Sequence, residues 1–420
     1  MLERVARRAS EGVSGNAREA IFEFFNRHAA IADELIKSAA LRAEIQKILD
    51  AARGEMDELV KGVEILRELT PRTLDAFYSF GELMSSRLVA AAMSERGLPA
   101  KWLDTKEFMI TDENHNSALP VMDIVTERLK NIAAPLLNKN IIPVTQGFIG
   151  ATSKGHRTTM GRESSDYSAS IIGAAMRSEE VQIWTDVDGI LTSDPRVVSS
   201  PMKINSLSFD EALELSYFGA KVLHPNTMLP AMEMNIPIRI LNSRRPQLSG
   251  TMITPGGTSG KPQVKSIAFK QNISLVTVSP KKRYGQYIFW EHIYSILTKF
   301  RATAYLSTTA EYRISFALDT TENIPAIIHA LEDIGVVTVA GGKGIVCLVG
   351  ENVRETAGFV ERISASTSGY SVEMISSGAS RSSLSIVMDE QLVPNVVRKL
   401  HFAFFEAIDT QALETAIHEN

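Results

Sequence analysis

The 420-residue chain has one cysteine, Cys347, so neither an intrachain disulfide nor a cysteine-based zinc site is available to it. Cys347 stands inside the apolar run Ile345–Val349 and reads as a small buried hydrophobe. A reducing, cytoplasmic setting is the expectation. No apolar run approaches the ~20 residues of a membrane span. Positive charge is not in excess: 44 Lys+Arg against 49 Asp+Glu give −5. No segment carries a dense basic stripe, so a nucleic-acid partner is not expected. Met1–Arg8 is basic but lacks the apolar stretch of a secretory signal. The eight histidines show no zinc-ligand spacing and read as structural or surface groups. What is present is ordinary for a globular chain, with 44% hydrophobic and 22% charged residues. Its length predicts two or three domains.

Residues 16–140 read as mostly helical, with apolar residues at helical spacing from Ala17 to Ile36. Thr70-Pro71 is a helix start, with the threonine as cap and the proline in the first turn. Ile141–Thr145 reads as a buried strand running to Gly147. From there strands and helices alternate. Asp166–Met176 is a small-residue helix, Val181–Trp184 a strand, Ser208-Phe209-Asp210-Glu211 a capping box, and Asn235–Ile240 another strand. This order predicts an α/β layer fold with a mainly parallel sheet.

Pro255–Pro262 has the composition of a linker. Beyond it, short elements repeat. Strand Ser274–Val278, helix Gln286–Lys299, strands Ala302–Ser307 and Arg313–Leu318, helix Glu322–Asp333 and strand Val336–Val339 make one βαββαβ unit. A second unit runs from strand Ile345–Val349 through helix Asn352–Ser364, strands Tyr370–Ser376 and Ser382–Met388, and helix Gln391–Phe405. It lacks a last strand, which Val264–Lys270 would supply; the second unit would then enclose the first. Gly341-Gly342-Lys343-Gly344 reads as a turn between two short strands.

Three segments carry chemistry. The first is Gly147–Asp166, a strand exit leading into a helix. Its glycines let backbone amides approach an anion, and the helix start near Ser165 adds a favourable dipole. Arg162 suits a carboxylate clamp, and Asp166 suits orienting a metal or a cationic group. The bland reading is a long glycine-rich connection with a capped helix. It is not a Walker A loop, because the G-x-x-x-x-G-K-[ST] spacing is missing. The second is Trp184–Arg196, a strand end with three aspartates. Asp186 and Asp188 would hold a nucleotide directly or through water and Mg²⁺, and Arg196 would reach phosphates. Turn chemistry at Asp-Gly and Asp-Pro is the alternative. The third is Tyr217–Pro225, where Lys221 near a helix end would place an ammonium on a phosphate or simply favour the helix dipole. Gly81-Glu82 is weak by itself.

Together and in this order, these segments resemble the aspartokinase family over nearly the whole chain. The family's G-R-G-G-S-D-Y stands here as Gly161-Arg162-Glu163-Ser164-Ser165-Asp166-Tyr167. W-T-D-V-D-G is Trp184–Gly189, D-P-R is Asp194–Arg196, F-G-A-K-V-L-H-P is Phe218–Pro225, and G-E is Gly81-Glu82. The tail resembles a pair of ACT domains. The resemblance implies an amino-acid-kinase-type three-layer fold over 1–260. It implies two ACT-like units after that, 271–340 and 264–270 plus 341–420. The activity implied is transfer of the ATP γ-phosphate, with Mg²⁺, to the side-chain carboxylate of L-aspartate, the first step of lysine, threonine and methionine biosynthesis. Glu82, Arg162 and Ser165 would contact aspartate, and Asp166 would organise the catalytic groups. Thr185, Asp186, Leu191, Arg196, Lys221 and Val222 would line the ATP site. Glu311 would meet an amino-acid effector. A homodimer through the tail is expected.

The chain departs from the family pattern in three places. No K-F-G-G run, whose lysine meets the transferring phosphate in the family, occurs in these residues. These 420 residues expressed alone are therefore expected to show little turnover, with Lys154 and Arg157 the nearest substitute cations. Glu163 and Ser164 replace two glycines and add bulk and charge. Tyr305 and Ala310 replace an acid and a hydroxyl beside Glu311, which argues against lysine control. A catalytically impaired homologue that senses amino acids or binds a partner is the alternative. Another amino-acid kinase, such as a glutamate kinase, fits less well with the paired tail.

Overall fold

The computed structural model describes residues 1–406 apart from 13, 162–163, 220–222, 257–262, 283–284, 311–312, 320–322 and 378–379. It is a mixed α/β structure in two compact units, Met1–Val181 with Leu229–Ile236, and Gln182–Met228 with Pro237 onward.

The first unit opens with four helices, α1 (Leu2–Glu11), α2 (Ser14–Leu35), α3 (Ala39–Leu66) and α4 (Pro71–Glu95). Apolar residues at helical spacing, such as Ile45, Leu49, Ala52, Met56, Val60 and Val63 on α3, face a core completed by Phe77, Phe80 and Met84 of α4. Thr70 caps α4 through its side chain and Pro71 fills the first turn, as the sequence predicts. The predicted helical region is interrupted by two short strands, β1 (Ala100–Trp102) and β2 (Ile110–Thr111). After α5 (Met122–Leu137) come β3 (Ile142–Val144), β4 (Ile149–Thr152), β5 (Arg157–Thr159) and α6 (Ser164–Met176). β1 pairs with β3 and β2 with β4, both parallel, and β5 runs antiparallel to β4. β3 is not the buried strand its apolar run suggests: Ile142 is 40% exposed and the other two residues are half-buried.

Next along the chain, β6 (Val181–Thr185), β7 (Ser206–Ser208), α7 (Phe209–Tyr217) and α8 (Pro225–Glu233), which from Leu229 belongs to the first unit, precede β8 (Ile238–Asn242) and β9 (Thr251–Thr254). The sheet order is β6-β8-β9-β7. The capping box at Ser208 and Glu211 forms in both directions. β8 starts three residues later than predicted: the Ile236 amide donates to the Ala231 carbonyl and Asn235 is left-handed, so this stretch closes the preceding helix.

Next come β10 (Gln263–Pro280), α9 (Gln286–Lys299), β11 (Ala304–Ala310), β12 (Arg313–Asp319), α10 (Ile324–Glu332), β13 (Gly335–Glu351), α11 (Phe359–Thr367), β14 (Met374–Ser377), β15 (Ser383–Asp389) and α12 (Val393–His401). The strands form one antiparallel sheet in the order β11-β12-β10-β13-β15-β14. Two cores lie against it, one around Phe316, Ile293 and Leu331 and one around Ile386, Val346 and Val396. Val264–Lys270 pairs with Ile345–Gly350. Lys343 is not in a turn between two strands but inside β13, where its ammonium donates to Glu373 and Asp389 at 2.7 Å each. Gly342, with φ +64, absorbs the irregularity. The helix predicted at 352–364 is instead a short turn at Val353–Glu355 followed by α11, which starts after the left-handed Gly358. Likewise β14 starts at Met374 rather than at residue 370. Cys347 is fully buried, and burial pushes its thiol up.

Candidate active site

The predicted residues fall on both units. On the first, α4 is fastened to the glycine-rich segment by Asp75. This fully buried carboxylate accepts the Thr159 hydroxyl at 2.6 Å, His115 Nδ1–H at 2.6 Å and the Asn116 amide at 3.2 Å. Tyr78, one turn further along α4, meets the Phe148 ring edge-on at 6.3 Å. Glu82 follows Tyr78 by four residues, hence on the same helix face. Its half-buried carboxyl is pushed above the usual range by that burial, and no ion pair or hydrogen bond reaches it among the described residues. A desolvated, unpaired carboxylate is poised for a cation.

Gly147 lies against the start of α6: a Cβ there would approach Ser165 Cα at 3.0 Å. Phe148, left-handed at φ 67, donates its amide to Ser168 Oγ on α6 at 2.9 Å. The Gly147-Phe148 turn and the α6 N-terminus therefore form one piece, with Ser165 exposed and Asp166 half-buried in the first turn. Asp166 is itself hydrogen-bonded or charge-paired. Arg162 lies outside the described residues.

The two cations named as substitutes for the missing lysine are engaged elsewhere. Lys154 pairs with Glu113 at 2.7 Å. Arg157 donates two bonds of 2.6 Å to Asp104. Burial would push Asp104 up, but the Arg157 bonds and charge reverse this and hold it below the usual carboxylate range.

In the second unit, a 470 Å³ cavity lies beyond the C-terminal ends of β6 and β8, lined by Asp186, Asp188, Leu191, Asp194, Arg196 and Arg245 among others. This is where open α/β sheets bind ligands. The Asp-Pro turn chemistry is realised: Asp194 accepts the Arg196 amide at 2.8 Å and also grips its guanidinium. The Arg196 side chain nevertheless stays 78% exposed. Asp188 is charge-paired with Arg245 and accepts Asn242 Nδ2–H, whereas among the described residues Asp186 accepts only a 3.3 Å bond from the neighbouring Thr185 hydroxyl. Gly189, at φ 130, admits no side chain, since a Cβ would lie 2.5 Å from Thr251 Oγ1. Residues 267–269 of β10 complete the wall. Lys221, Val222 and Glu311 lie outside the described residues.

Arg245, Asn242 and the β10 wall stand outside the sequence-based expectation. The first two carry a signal, a polar run ending in two arginines after the apolar strand Ile238–Leu241. Among the described residues no group of three or more His, Cys, Asp or Glu side chains comes together as a metal site, and no helix is long and apolar enough to cross a membrane.

The chain combines a cavity at strand ends lined by three aspartates and two arginines, a glycine-rich strand-to-helix turn and an antiparallel tail. The amino acid kinase family model matches residues 15–242 and the ACT domain model residues 346–404. The chain is 36% identical over 378 residues to chloroplastic aspartokinase 3 of Arabidopsis thaliana, covering 85% of this chain. It is 33% identical over 367 residues to lysine-sensitive aspartokinase 3 of Escherichia coli, covering 84% of this chain and 81% of the relative. The crystal structure of E. coli aspartokinase III in complex with aspartate and ADP superposes with a TM-score of 0.80 at 30% identity, over 96% of this chain and 91% of that one. The chain belongs to the aspartokinase family. It spans 66% of the length of the Arabidopsis relative.

Proposed function

We propose that this protein is an aspartate kinase, transferring the γ-phosphate of ATP to the side-chain carboxylate of L-aspartate to give 4-phospho-L-aspartate, at the head of lysine, threonine and methionine biosynthesis. The observation that carries this reading is the 470 Å³ cavity walled by the Asp186–Arg196 segment. ATP would occupy it as its Mg²⁺ complex, with Thr185, Asp186, Leu191 and Val222 lining the nucleotide site and Arg196 and Lys221 meeting the phosphates. Aspartate would place its ammonium on Glu82 and its carboxylates on Arg162 and the Ser165 turn. A carboxylate oxygen then bonds to the γ-phosphorus as the bond to the β-bridging oxygen breaks and ADP leaves. Such transfer proceeds by positioning and charge neutralisation, and Asp166 organises the cationic groups.

The ACT-like tail, whose sheet joins Val264–Lys270 to residues 345–350, supports domain limits of 1–260, 271–340 and 264–270 plus 341–420. It also supports an amino-acid effector near Glu311 and a homodimer through the tail. The buried lone thiol supports a reducing compartment, the cytoplasm in the simplest case.

Calorimetric titration of the full-length protein with ADP and Mg²⁺ tests the nucleotide half of this reading. Saturable 1:1 binding that weakens in Arg196→Ala is expected; no binding by the folded protein overturns it.

A further inference from the structure

We infer that His401 is a positioning residue for the nucleotide loop, a buried imidazole at the end of α12 that fixes the 191–196 turn in the form that walls the cavity. The inference rests on the nucleotide reading of that cavity.

The other buried residues of α12 are Val393, Val396, Val397 and Leu400. The apolar stripe calls for another aliphatic residue at 401, yet a histidine stands there, 1% exposed. Burying an imidazole is unfavourable unless both nitrogens are satisfied, and here both are. Nδ1 lies 2.9 Å from Glu406 Oε1. A carboxylate only accepts, so Nδ1 carries the proton. Nε2 lies 2.9 Å from Thr192 Oγ1. That oxygen already accepts the Met202 amide at 2.9 Å, so its proton goes to Nε2.

Thr192 is the fixed point of the loop. Its amide donates to the Met202 carbonyl at 2.8 Å, and its carbonyl accepts the Ile267 amide at 2.8 Å and Ser266 Oγ–H at 3.3 Å. With the hydroxyl on His401, every polar group of a residue 4% exposed is engaged. Its neighbours Leu191 and Ser193, together with Asp194 and Arg196, line the cavity. Removing the imidazole leaves the threonine hydroxyl without an acceptor and frees the turn that aims Arg196. Nothing on α12 lines the cavity, so the effect is confined to how well the loop is pre-formed for the nucleotide.

The test is calorimetric ADP binding and steady-state kinetics of the full-length protein and its His401→Leu, His401→Gln and Thr192→Val variants, with urea unfolding in parallel. His401→Leu and Thr192→Val should each weaken ADP about five- to tenfold, the scale of one buried hydrogen bond. KM for ATP should rise with them while KM for aspartate stays put. His401→Gln, whose amide oxygen reaches the Nε2 position, should recover most of the affinity. The double variant should be no weaker than either single one. A folded His401→Leu protein that binds ADP like wild type overturns the inference, as does a folded His401→Gln as weak as the leucine variant. If His401→Leu does not fold, Thr192→Val decides, and unchanged ADP affinity there overturns it. Wild-type protein that binds no ADP overturns the nucleotide reading and this role with it, a result distinct from any difference between variants.

Discussion

At the scale of single residues, charge and burial make separable demands. Glu82 is held above the ordinary glutamate range by burial, and only its ionised form would pair with the substrate ammonium of the proposed reaction. KM for aspartate should therefore rise as pH falls, beginning at a higher pH than an exposed glutamate would dictate. Glu82→Gln should raise it about ten- to a hundredfold, the scale of a charge-assisted hydrogen bond, with less change in kcat. Asp104 is the opposite case, held low by Arg157 once burial is overcome. A carboxyl with a depressed folded value contributes stability above its unfolded value, near 3.9, and loses it as pH falls through the lower folded one. Urea unfolding of wild type and Arg157→Ala should therefore differ at neutral pH and converge in strong acid. Equal stabilities at pH 7 would contradict the pairing. Cys347, fully buried and with its thiol pushed up, should resist thiol reagents until the chain unfolds.

At the scale of elements, the joint between β10 and α7 is the most exposed to mutation. Lys265 Nζ donates to Glu211 Oε2 at 2.9 Å, with side chains 7% and 1% exposed. Glu211 Oε2 also accepts the Ser208 amide at 2.6 Å. Removing one partner of such a pair costs about 3–5 kcal/mol, so Lys265→Ala should lower unfolding stability by that order. Replacing both together with apolar residues should cost much less than the sum, and a fully additive double variant would contradict the argument. The legibility of elements followed their locality. α9 was read to its ends because Gly285 bounds an apolar stripe with a 3.6-residue period, and the capping box at Ser208 is written in four consecutive residues. β10 and β13 were not read as long strands, because Lys270-Gln271-Asn272 and Gly341-Gly342 look like turns. They are irregularities within paired strands, with Asn272 and Gly342 left-handed and the register shifting between Lys270 and Ile273. Only the partner strand shows this. The same holds for the candidate site. The Asp186–Arg196 wall was visible as one segment, but the bond from Thr192 to His401 spans 209 positions, and no local pattern announces it.

At the scale of the whole molecule, the central claim is the proposed one, that the protein phosphorylates the side-chain carboxylate of L-aspartate. The most direct test is aspartyl-hydroxamate formation with ATP, Mg²⁺ and hydroxylamine, by these 420 residues and by the same chain with a K-F-G-G segment added ahead of them. The account predicts little product from the 420 residues alone. From the extended chain it predicts product that requires both aspartate and ATP, with Asp166→Ala and Lys221→Ala there reducing the rate by about 10²–10³, the scale of a lost transition-state contact. A folded, ADP-binding extended chain that forms no hydroxamate, or that forms it as well from glutamate as from aspartate, would contradict the account.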